Sequence, residues 1–187
     1  MSERKMPEFE FLEQESRLET EDLDYLSGVF LFRGLSSQQL HQVMALARKV
    51  NVPKGQVLIQ EGDRGDTLYI IRHGEVEVSK SITLPLGPAE QARPEKALTR
   101  MGARDRAVFG ELSLFEQALR SATVRCLTDC SFYAMGREEF LRFCDSHVEV
   151  GYLLFKNLAQ MVGERLRRAS DDIVKLTTAL SIALERR

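Results

Sequence analysis

Short apolar segments separated by single glycines constrain the fold of this chain more than any other feature. In QVLIQEGDRGDTLYIIRHGEVEVS, residues 56–79, glycines stand at 62, 65 and 74, where they permit the positive-φ turns that join neighbouring strands. The predicted strands are 57–59, 68–71, 76–78, 107–109, 123–124 and 131–134. Short strands at such close spacing are typical of an antiparallel roll or barrel, so the chain is predicted to be mainly β.

A helical pattern precedes these strands. Ser36 and Gln39 have the spacing of a capping box, which predicts the start of a helix. That helix is expected to end by Val50, because Pro53 and Gly55 follow. The β-roll is therefore expected to carry helices on its N-terminal side.

The C-terminal segment predicts one long helix. Ser146 and Glu149 form a second candidate capping box, and a helix from there to the end would have about 40 residues and a length of ~60 Å. Its apolar residues alternate spacings of three and four: Leu166, Ala169, Ile173, Leu176, Leu180 and Ala183. This seam over 166–183 predicts a homodimeric coiled coil, because so long a helix outreaches a small barrel. A stripe that packs on the chain's own barrel is the alternative.

These patterns divide the chain into three parts. Residues 1–24 hold nine acids and three bases and are predicted to be an acidic, partly disordered leader. Residues 25–145 are predicted to form the β-roll with its flanking helices, and 146–187 the long helix. Within the roll, the proline-rich segment 79–97 predicts a long loop or a loosely paired ribbon.

The composition narrows the classes of function. The chain of 187 residues fits one globular domain plus a helical element, and its formal net charge of -2 gives no basic patch for direct nucleic-acid binding. No apolar run is long enough to span a bilayer, so we expect a cytoplasmic protein without a membrane segment. Cys126, Cys130 and Cys144 match no metal or haem spacing and are expected to be reduced and buried. The sequence has no nucleophile elbow and no P-loop, so neither an enzyme nor a metal or other cofactor is predicted.

The stretch VFGELSLFEQALRSATVRC, residues 108–126, carries the candidate chemistry. Glu111 follows a glycine, and nine residues later Arg120 precedes two small residues, Ser121 and Ala122. A guanidinium fork matches two phosphate oxygens, and small side chains leave backbone N–H groups free to approach them. The Glu111 carboxylate can accept a hydrogen bond from a sugar hydroxyl. The stretch therefore predicts a sugar phosphate held between the two side chains; a mutual Glu111–Arg120 ion pair is the alternative.

Together with the upstream LIQEGDRGDTLYIIRHG, this stretch resembles the paired signatures of the cyclic nucleotide-binding domain family. The matching positions are Leu58, Ile59, Gly62, Asp63, Gly65, 68–71, Gly74, 109–111, Ser113, Leu114, 120–122, Val124 and Cys126. The resemblance covers roughly residues 26–170. It implies an eight-stranded β-roll, a double-stranded β-helix, with helices at both ends and a phosphate cassette within it.

The resemblance also implies a role for each cassette residue. Glu111 would hold the ribose hydroxyl, Arg120 the cyclic phosphate, and Ser121 a phosphate oxygen. Backbone contacts would come from Gly110, Leu112, Ser113 and Ala122. In bacterial members of the catabolite-activator type a Thr–Ser pair on the long helix reads the adenine, and Ala169 and Ser170 stand there in this chain, so Ser170 is the candidate base contact. The favoured ligand is cAMP, with cGMP as the alternative, because the Ser121 hydroxyl could equally serve guanine.

Three functions remain open from the sequence. The preferred one is a sensor that binds the nucleotide and relays its occupancy through the C-terminal helix to an unidentified partner protein. In that sensor, Leu114 and Phe115 of the cassette are expected to contact the hinge before the long helix, and no DNA-reading domain is expected because the sequence ends at Arg187. The alternatives are a regulatory fragment of a larger transcription regulator, channel or transporter, and a degenerate scaffold that only dimerises.

Overall fold

Eight antiparallel strands in two four-stranded sheets form the body of the chain. The computed structural model describes residues 20–81, 95–115 and 119–185. The strands are β1 (Arg48–Val52), β2 (Val57–Ile59), β3 (Thr67–His73), β4 (Glu75–Ser81), β5 (Glu95–Gly102), β6 (Val108–Phe109), β7 (Thr123–Cys126) and β8 (Cys130–Gly136). One sheet has the order β1-β8-β3-β6 and the other the order β2-β7-β4-β5. The prediction of a mainly β roll with flanking helices is confirmed.

Strand β3 shows how the sheets share their apolar side chains. Successive residues of a strand point to opposite faces of its sheet. Tyr69 and Ile71 belong to the core that residues of both sheets form together, whereas Leu68 and Ile70 belong to a second core that also contains the helices. A strand that is buried on both faces is a continuous apolar run, which explains why this strand was predictable from the sequence.

The sequence predicts neither β1 nor β5. Strand β1 pairs with β8 from Arg48 opposite Ala134 to Val52 opposite Cys130, in a segment where the first helix was expected to continue as far as residue 50. Strand β5 is highly exposed and is held by its pairing with β4. The segment 79–97 is therefore a paired ribbon at both of its ends, and its residues 82–94 lie outside the described part of the chain.

Helices pack against one face of the β1-β8-β3-β6 sheet, through the core that contains Leu68, Ile70 and Met135. In the described residues they are α1 (Thr20–Ser27), α2 (Ser37–Met44), α3 (Leu112–Phe115), α4 (Arg137–Ser146) and α5 (Val148–Glu185), with 3₁₀ turns at Phe30–Phe32 and Ala103–Asp105. The predicted capping box of α2 is confirmed, because the Gln39 N–H donates to Ser36 Oγ at 3.2 Å and the Ser36 N–H donates to Gln39 Oε1 at 2.8 Å. None of the described helices combines the length and apolar character that a bilayer crossing requires.

Helix α1 begins inside the predicted acidic leader. Asp22 on this helix is buried, and its carboxylate forms ion pairs with Arg72 Nε at 2.8 Å and with Lys49 Nζ at 3.1 Å. These contacts hold the helix against strands β3 and β1, so residues 20–24 of the predicted leader are helical. The partly disordered leader itself stays a prediction. Residues 1–19 of that leader lie outside the described part of the chain.

The second predicted capping box is also wrong. Ser146 ends α4, and its hydroxyl donates back to the carbonyl of Arg142 at 3.0 Å. His147 then separates α4 from α5. The predicted long helix itself is present, because α5 has 38 residues.

The C-terminal half of α5 is free of the roll. Leu166, Ile173, Leu176 and Leu180 of the predicted seam are 67%, 64%, 63% and 60% exposed. The alternative in which this stripe packs on the chain's own barrel is therefore wrong. The coiled-coil dimer over 166–183 stays a prediction, as does the division of the chain into three parts.

Candidate functional site

A cavity of about 940 Å³ opens between the roll and helix α5. Its walls come from strand β5, from the cassette segments around α3 and before β7, and from the middle of α5. Most of the predicted site residues line it: Gly110, Glu111, Leu112, Ser113, Arg120, Ser121 and Ala122. The fold therefore brings together these seven of the eight residues that the sequence analysis placed in the site.

Gly110 sets the shape of the cassette. Its φ is +76°, and a Cβ at this position would lie 2.6 Å from the Thr67 carbonyl oxygen and 2.9 Å from Arg120 Nη1. Only glycine combines this backbone conformation with such a close approach. The single helical turn α3 then folds back on this glycine, because Ser113 Oγ donates to the Gly110 carbonyl at 2.6 Å and the Ser113 N–H at 3.2 Å. The Ser113 amide, a predicted backbone donor to the ligand, is thus used within the chain.

Arg120 is fixed by the glycine-rich loop that precedes β3. Its backbone N–H donates to the Asp63 carbonyl at 2.8 Å, and its carbonyl accepts from the Gly62 N–H at 2.9 Å. Its side chain lies so close to Gly65 that a Cβ there would sit 2.4 Å from Arg120 Nε. The conspicuous glycines of the first signature therefore position the arginine of the second.

The Arg120 guanidinium is partly buried with little to balance its charge. Burial lowers its pKa from the usual value, while Tyr69, Asp66 and Glu111 nearby act in the opposite direction. Nη2 donates to the Thr67 carbonyl at 3.0 Å, and the structure shows no ion pair for this side chain within the three described ranges. An arginine remains charged in such a place. A cation of this kind in a cavity wall favours an anionic ligand.

Glu111 pairs with a residue that the sequence analysis did not single out. The carboxylate is buried, and Glu111 Oε1 lies 2.6 Å from Arg165 Nη1 of helix α5. Arg165 also donates to the Val108 carbonyl. The alternative in which Glu111 and Arg120 pair with each other is wrong in this structure. The two partners stand 54 positions apart in the sequence, and no local pattern marks Arg165 as the partner.

Ser170 is not brought to the cavity in this chain. Its hydroxyl donates to the Leu166 carbonyl at 2.9 Å, and the side chain is exposed. Ala169 and Arg168 line the cavity from the same turn of α5. A role of Ser170 in base recognition stays a prediction.

The cassette contacts the helices on both sides of His147. The carbonyl of Leu114 accepts from Arg137 Nε at 3.3 Å, at the start of α4. The Phe115 ring lies 6.1 Å from the Phe155 ring on α5, measured between centroids. These two contacts lie ten residues before and eight residues after His147, so a contact of Leu114 and Phe115 with the hinge itself stays a prediction.

The three cysteines are buried and unpaired, as predicted. Burial, with Cys130 as a neighbour, raises the pKa of Cys126 to about 12, and burial raises the pKa of Cys144 to about 11. Thiols with such pKa values are poor nucleophiles and poor metal ligands at neutral pH. They act as small apolar side chains of the core.

Comparisons with known proteins agree with this geometry. The family model described as "Cyclic nucleotide-binding domain" matches residues 49–147. A CRP-like cAMP-activated global transcriptional regulator of Mycobacterium tuberculosis is 28% identical over 153 residues, which are 82% of this chain and 62% of that protein. The chain thus spans less than two thirds of the length of this relative.

Solved structures of cyclic nucleotide-binding proteins are also similar to this chain. The crystal structure of Thermus thermophilus catabolite activator protein has a TM-score of 0.67 and 27% identity, and the match covers 79% of this chain and 63% of that one. A cyclic nucleotide-binding domain from Methylobacillus flagellatus has a TM-score of 0.68 and 25% identity, over 81% of this chain and 80% of that one. With the family model matching more than half of its residues, the chain belongs to the cyclic nucleotide-binding domain family.

Proposed function

We propose that this chain binds a cyclic nucleotide, preferentially cAMP, in the cavity beside α5 and relays its occupancy through that helix to a partner protein. One observation carries the proposal. Arg120 and Glu111 line the same cavity, and Glu111 has a cationic partner whereas Arg120 has no anionic one among the described residues. A ligand with one negative charge and a neighbouring sugar hydroxyl would give Arg120 an anionic partner and Glu111 a hydrogen-bond donor.

The phosphate would take the place of the missing anion. The Arg120 fork can donate to two of its oxygens, and Ser121, which is exposed at the cavity wall, can add its hydroxyl. The ribose would lie at Glu111, which keeps one oxygen on Arg165 and can accept from the 2′-hydroxyl with the other. A 2′-deoxy ligand would leave this part of a buried carboxylate unpaired, which disfavours its binding.

The route to a partner would start at the same ion pair. Because Arg165 belongs to α5, any change at Glu111 acts on the helix directly, and the Phe115–Phe155 contact adds a second link. To shift the helix from mostly one position to mostly another, the ligand must bind one state about 10⁴-fold more tightly. The helix would present its exposed seam, residues 166–183, to a second copy of the chain as a coiled coil.

The proposal is one of binding and regulation without catalysis or direct nucleic-acid contact. Buried, unpaired cysteines are typical of the reducing cytoplasm, which is where we propose that the protein acts. Relatives named as a cAMP-activated transcriptional regulator and as regulatory subunits of cAMP-dependent protein kinase support cAMP as the ligand. The downstream partner is a protein that recognises the position of α5.

Calorimetric titration tests the proposal. The wild-type chain is expected to bind cAMP more tightly than cGMP, and 2′-deoxy-cAMP roughly 10-fold to 100-fold more weakly than cAMP. Arg120→Ala should weaken cAMP binding at least ~100-fold, since it removes charged hydrogen bonds to the phosphate. Arg104→Ala, which removes an exposed arginine that does not line the cavity, is the matched control and should bind as the wild type does. A folded wild-type chain that binds no cyclic nucleotide would instead support the dimerising scaffold.

A further inference from the structure

We propose that Asn157 is a positioning residue that fastens one wall of the cavity to helix α5. This part of the wall is Phe30, which lies in the segment 28–34 and begins the 3₁₀ turn Phe30–Phe32. This inference deepens the proposed function, because it takes the cavity to be the nucleotide site. It adds a second connection between the cavity and α5, separate from the Glu111–Arg165 ion pair.

Asn157 is a buried polar residue in the first half of helix α5. It is 4% exposed, and its Nδ2 donates to the carbonyl of Leu31 at 2.9 Å and to the carbonyl of Arg33 at 2.8 Å. Both protons of the amide are used in this way. A buried amide with two good hydrogen bonds to another segment holds the two segments in one relative position.

The backbone hydrogen bonds of the turn explain why it needs this side chain. Within residues 29–33, three carbonyls accept hydrogen bonds from backbone N–H groups. They are those of Val29, Phe30 and Phe32, and the donors are the N–H groups of Phe32, Arg33 and Leu35. The remaining two, those of Leu31 and Arg33, accept from Asn157 instead. Leu31 is fully buried, and a buried carbonyl left without a donor is costly, so the amide that α5 supplies stabilises the shape of the turn.

The same turn forms part of the cavity wall. Phe30, its first residue, lines the cavity together with Arg106. The Arg106 side chain fills the space beside Gly28, where a Cβ would lie 2.4 Å from the guanidinium carbon. The segment therefore faces the cavity through Phe30 and faces α5 through the carbonyls that Asn157 holds.

The geometry limits how far α5 can move alone. With donor–acceptor distances of 2.8 and 2.9 Å, a displacement of roughly 0.5 Å already moves these bonds beyond the usual range. A displacement of α5 must therefore carry the turn and Phe30 with it, and a ligand that packs against Phe30 must act on α5. Such coupling between two positions is reciprocal.

The first experiment tests, without any nucleotide, whether the hydrogen bonds from Asn157 hold the turn against α5. Amide hydrogen exchange of residues 30–35 is measured in the wild type, in Asn157→Leu and in the nearly isosteric Asn157→Asp. Both variants remove donors from the two carbonyls, so exchange in this segment should become on the order of tenfold faster. The matched control is Gln160→Leu, which replaces an exposed amide three residues further along the same helix and should change nothing. Unchanged exchange in both Asn157 variants would overturn the inference.

The second experiment adds cAMP. In the wild type, cAMP should change exchange both in 30–35 and in the first half of α5. In Asn157→Leu, Arg120 and Glu111 should still hold cAMP at a saturating concentration, more weakly than in the wild type because the cavity wall at Phe30 is loosened, while the response of 30–35 is lost. An Asn157→Leu chain in which 30–35 responds as in the wild type would overturn the inference and leave nucleotide binding intact. If the wild type binds no nucleotide, the proposed function fails. The measurement without nucleotide still decides whether Asn157 holds the turn against α5.

An optical variant covers the case in which neither Asn157 variant folds. The chain contains no tryptophan, so Phe30→Trp introduces a single tryptophan at the cavity wall. With Asn157 in place, saturating cAMP should shift the emission of this tryptophan. Calorimetry on the same protein shows whether cAMP is bound, and an unchanged emission with bound cAMP would overturn the inference.

Discussion

Removal of Arg165 tests whether an ion pair joins helix α5 to the cassette. Glu111 is only 5% exposed, and its carboxylate lies 2.6 Å from the Arg165 guanidinium. Arg165→Ala would leave this carboxylate buried without its cation. Because the cost of an unpaired buried charge exceeds the gain from a surface pair, the variant should be clearly less stable than the wild type.

The size of the effect follows from the burial of the two partners. Breaking a fully buried ion pair by removing one side chain costs about 3–5 kcal/mol. The Arg165 side chain is 39% exposed, so water can reach the site and the expected loss falls to about 1–3 kcal/mol. For a domain of this size such a loss lowers the Tm by roughly 3–10 °C.

Thermal unfolding of Arg165→Ala, Glu111→Gln and the double variant measures the coupling. The double variant should recover at least about 1 kcal/mol relative to Arg165→Ala, because a neutral amide needs no cation. Arg167→Ala, an exposed neighbour on the same helix, is the control and should unfold like the wild type. The reasoning from the buried pair would be refuted if Arg165→Ala had the same Tm as Arg167→Ala. It would also be refuted if the double variant were no more stable than Arg165→Ala.

Three further outcomes are expected. Leu176→Glu combined with Leu180→Glu should yield monomers, since charges at two seam positions cannot be buried between helices, and a dimer that persists in light scattering would contradict the coiled coil. Gly110→Ala should cost about 1–3 kcal/mol of unfolding free energy. Gly55→Ala, with a φ of +83° but no atom within 4 Å of the added Cβ, should cost less, and equal losses would show that close approach is unimportant at Gly110. Burial would raise the pKa of Asp22, but the donors and cations around it lower it to about 2. The resulting stability, about 2 kcal/mol, is complete above pH ~4 and lost as the pH falls toward 2, so urea unfolding of Asp22→Asn should lack this decline.

The strands that could be predicted have apolar side chains of their own, although β1, with its buried Val50 and Val52, shows that such side chains do not suffice. TLYIIRH of β3 is recognisable because both of its faces are buried, and Val124 and Cys126 of β7 lie in the same core as Ile71. Strand β5, EKALTRMG, is mostly exposed and has little apolar pattern, so it is a strand because β4 lies beside it. An edge strand of this kind is determined by pairing, which local composition does not record.

Capping signals were reliable only where no competing partner was near. The hydroxyl of Ser36 opens α2 as its spacing predicts, since the nearest available group is the Gln39 N–H. The hydroxyl of Ser146 has the same spacing to Glu149 but lies at the end of α4, and the carbonyls of that helix capture it. The same local motif thus has two outcomes, which the preceding helix decides.

The sequence by itself determined the chemistry of the cassette and the turns that build it. Glycines at 62, 65 and 110 permit backbone conformations or close approaches that other residues cannot adopt. With Arg120 and the small residues after it, they form a pattern that can be recognised from the sequence alone.

Only the tertiary structure decided which partners complete the site. The ion pair of Glu111 with Arg165, and the hold of Asn157 on the carbonyls of Leu31 and Arg33, each join positions more than fifty residues apart. Such contacts arise because helix α5 packs across the roll, and a buried polar group takes the partner that the packing brings within reach. The spacing of residues along the chain therefore does not predict these partners.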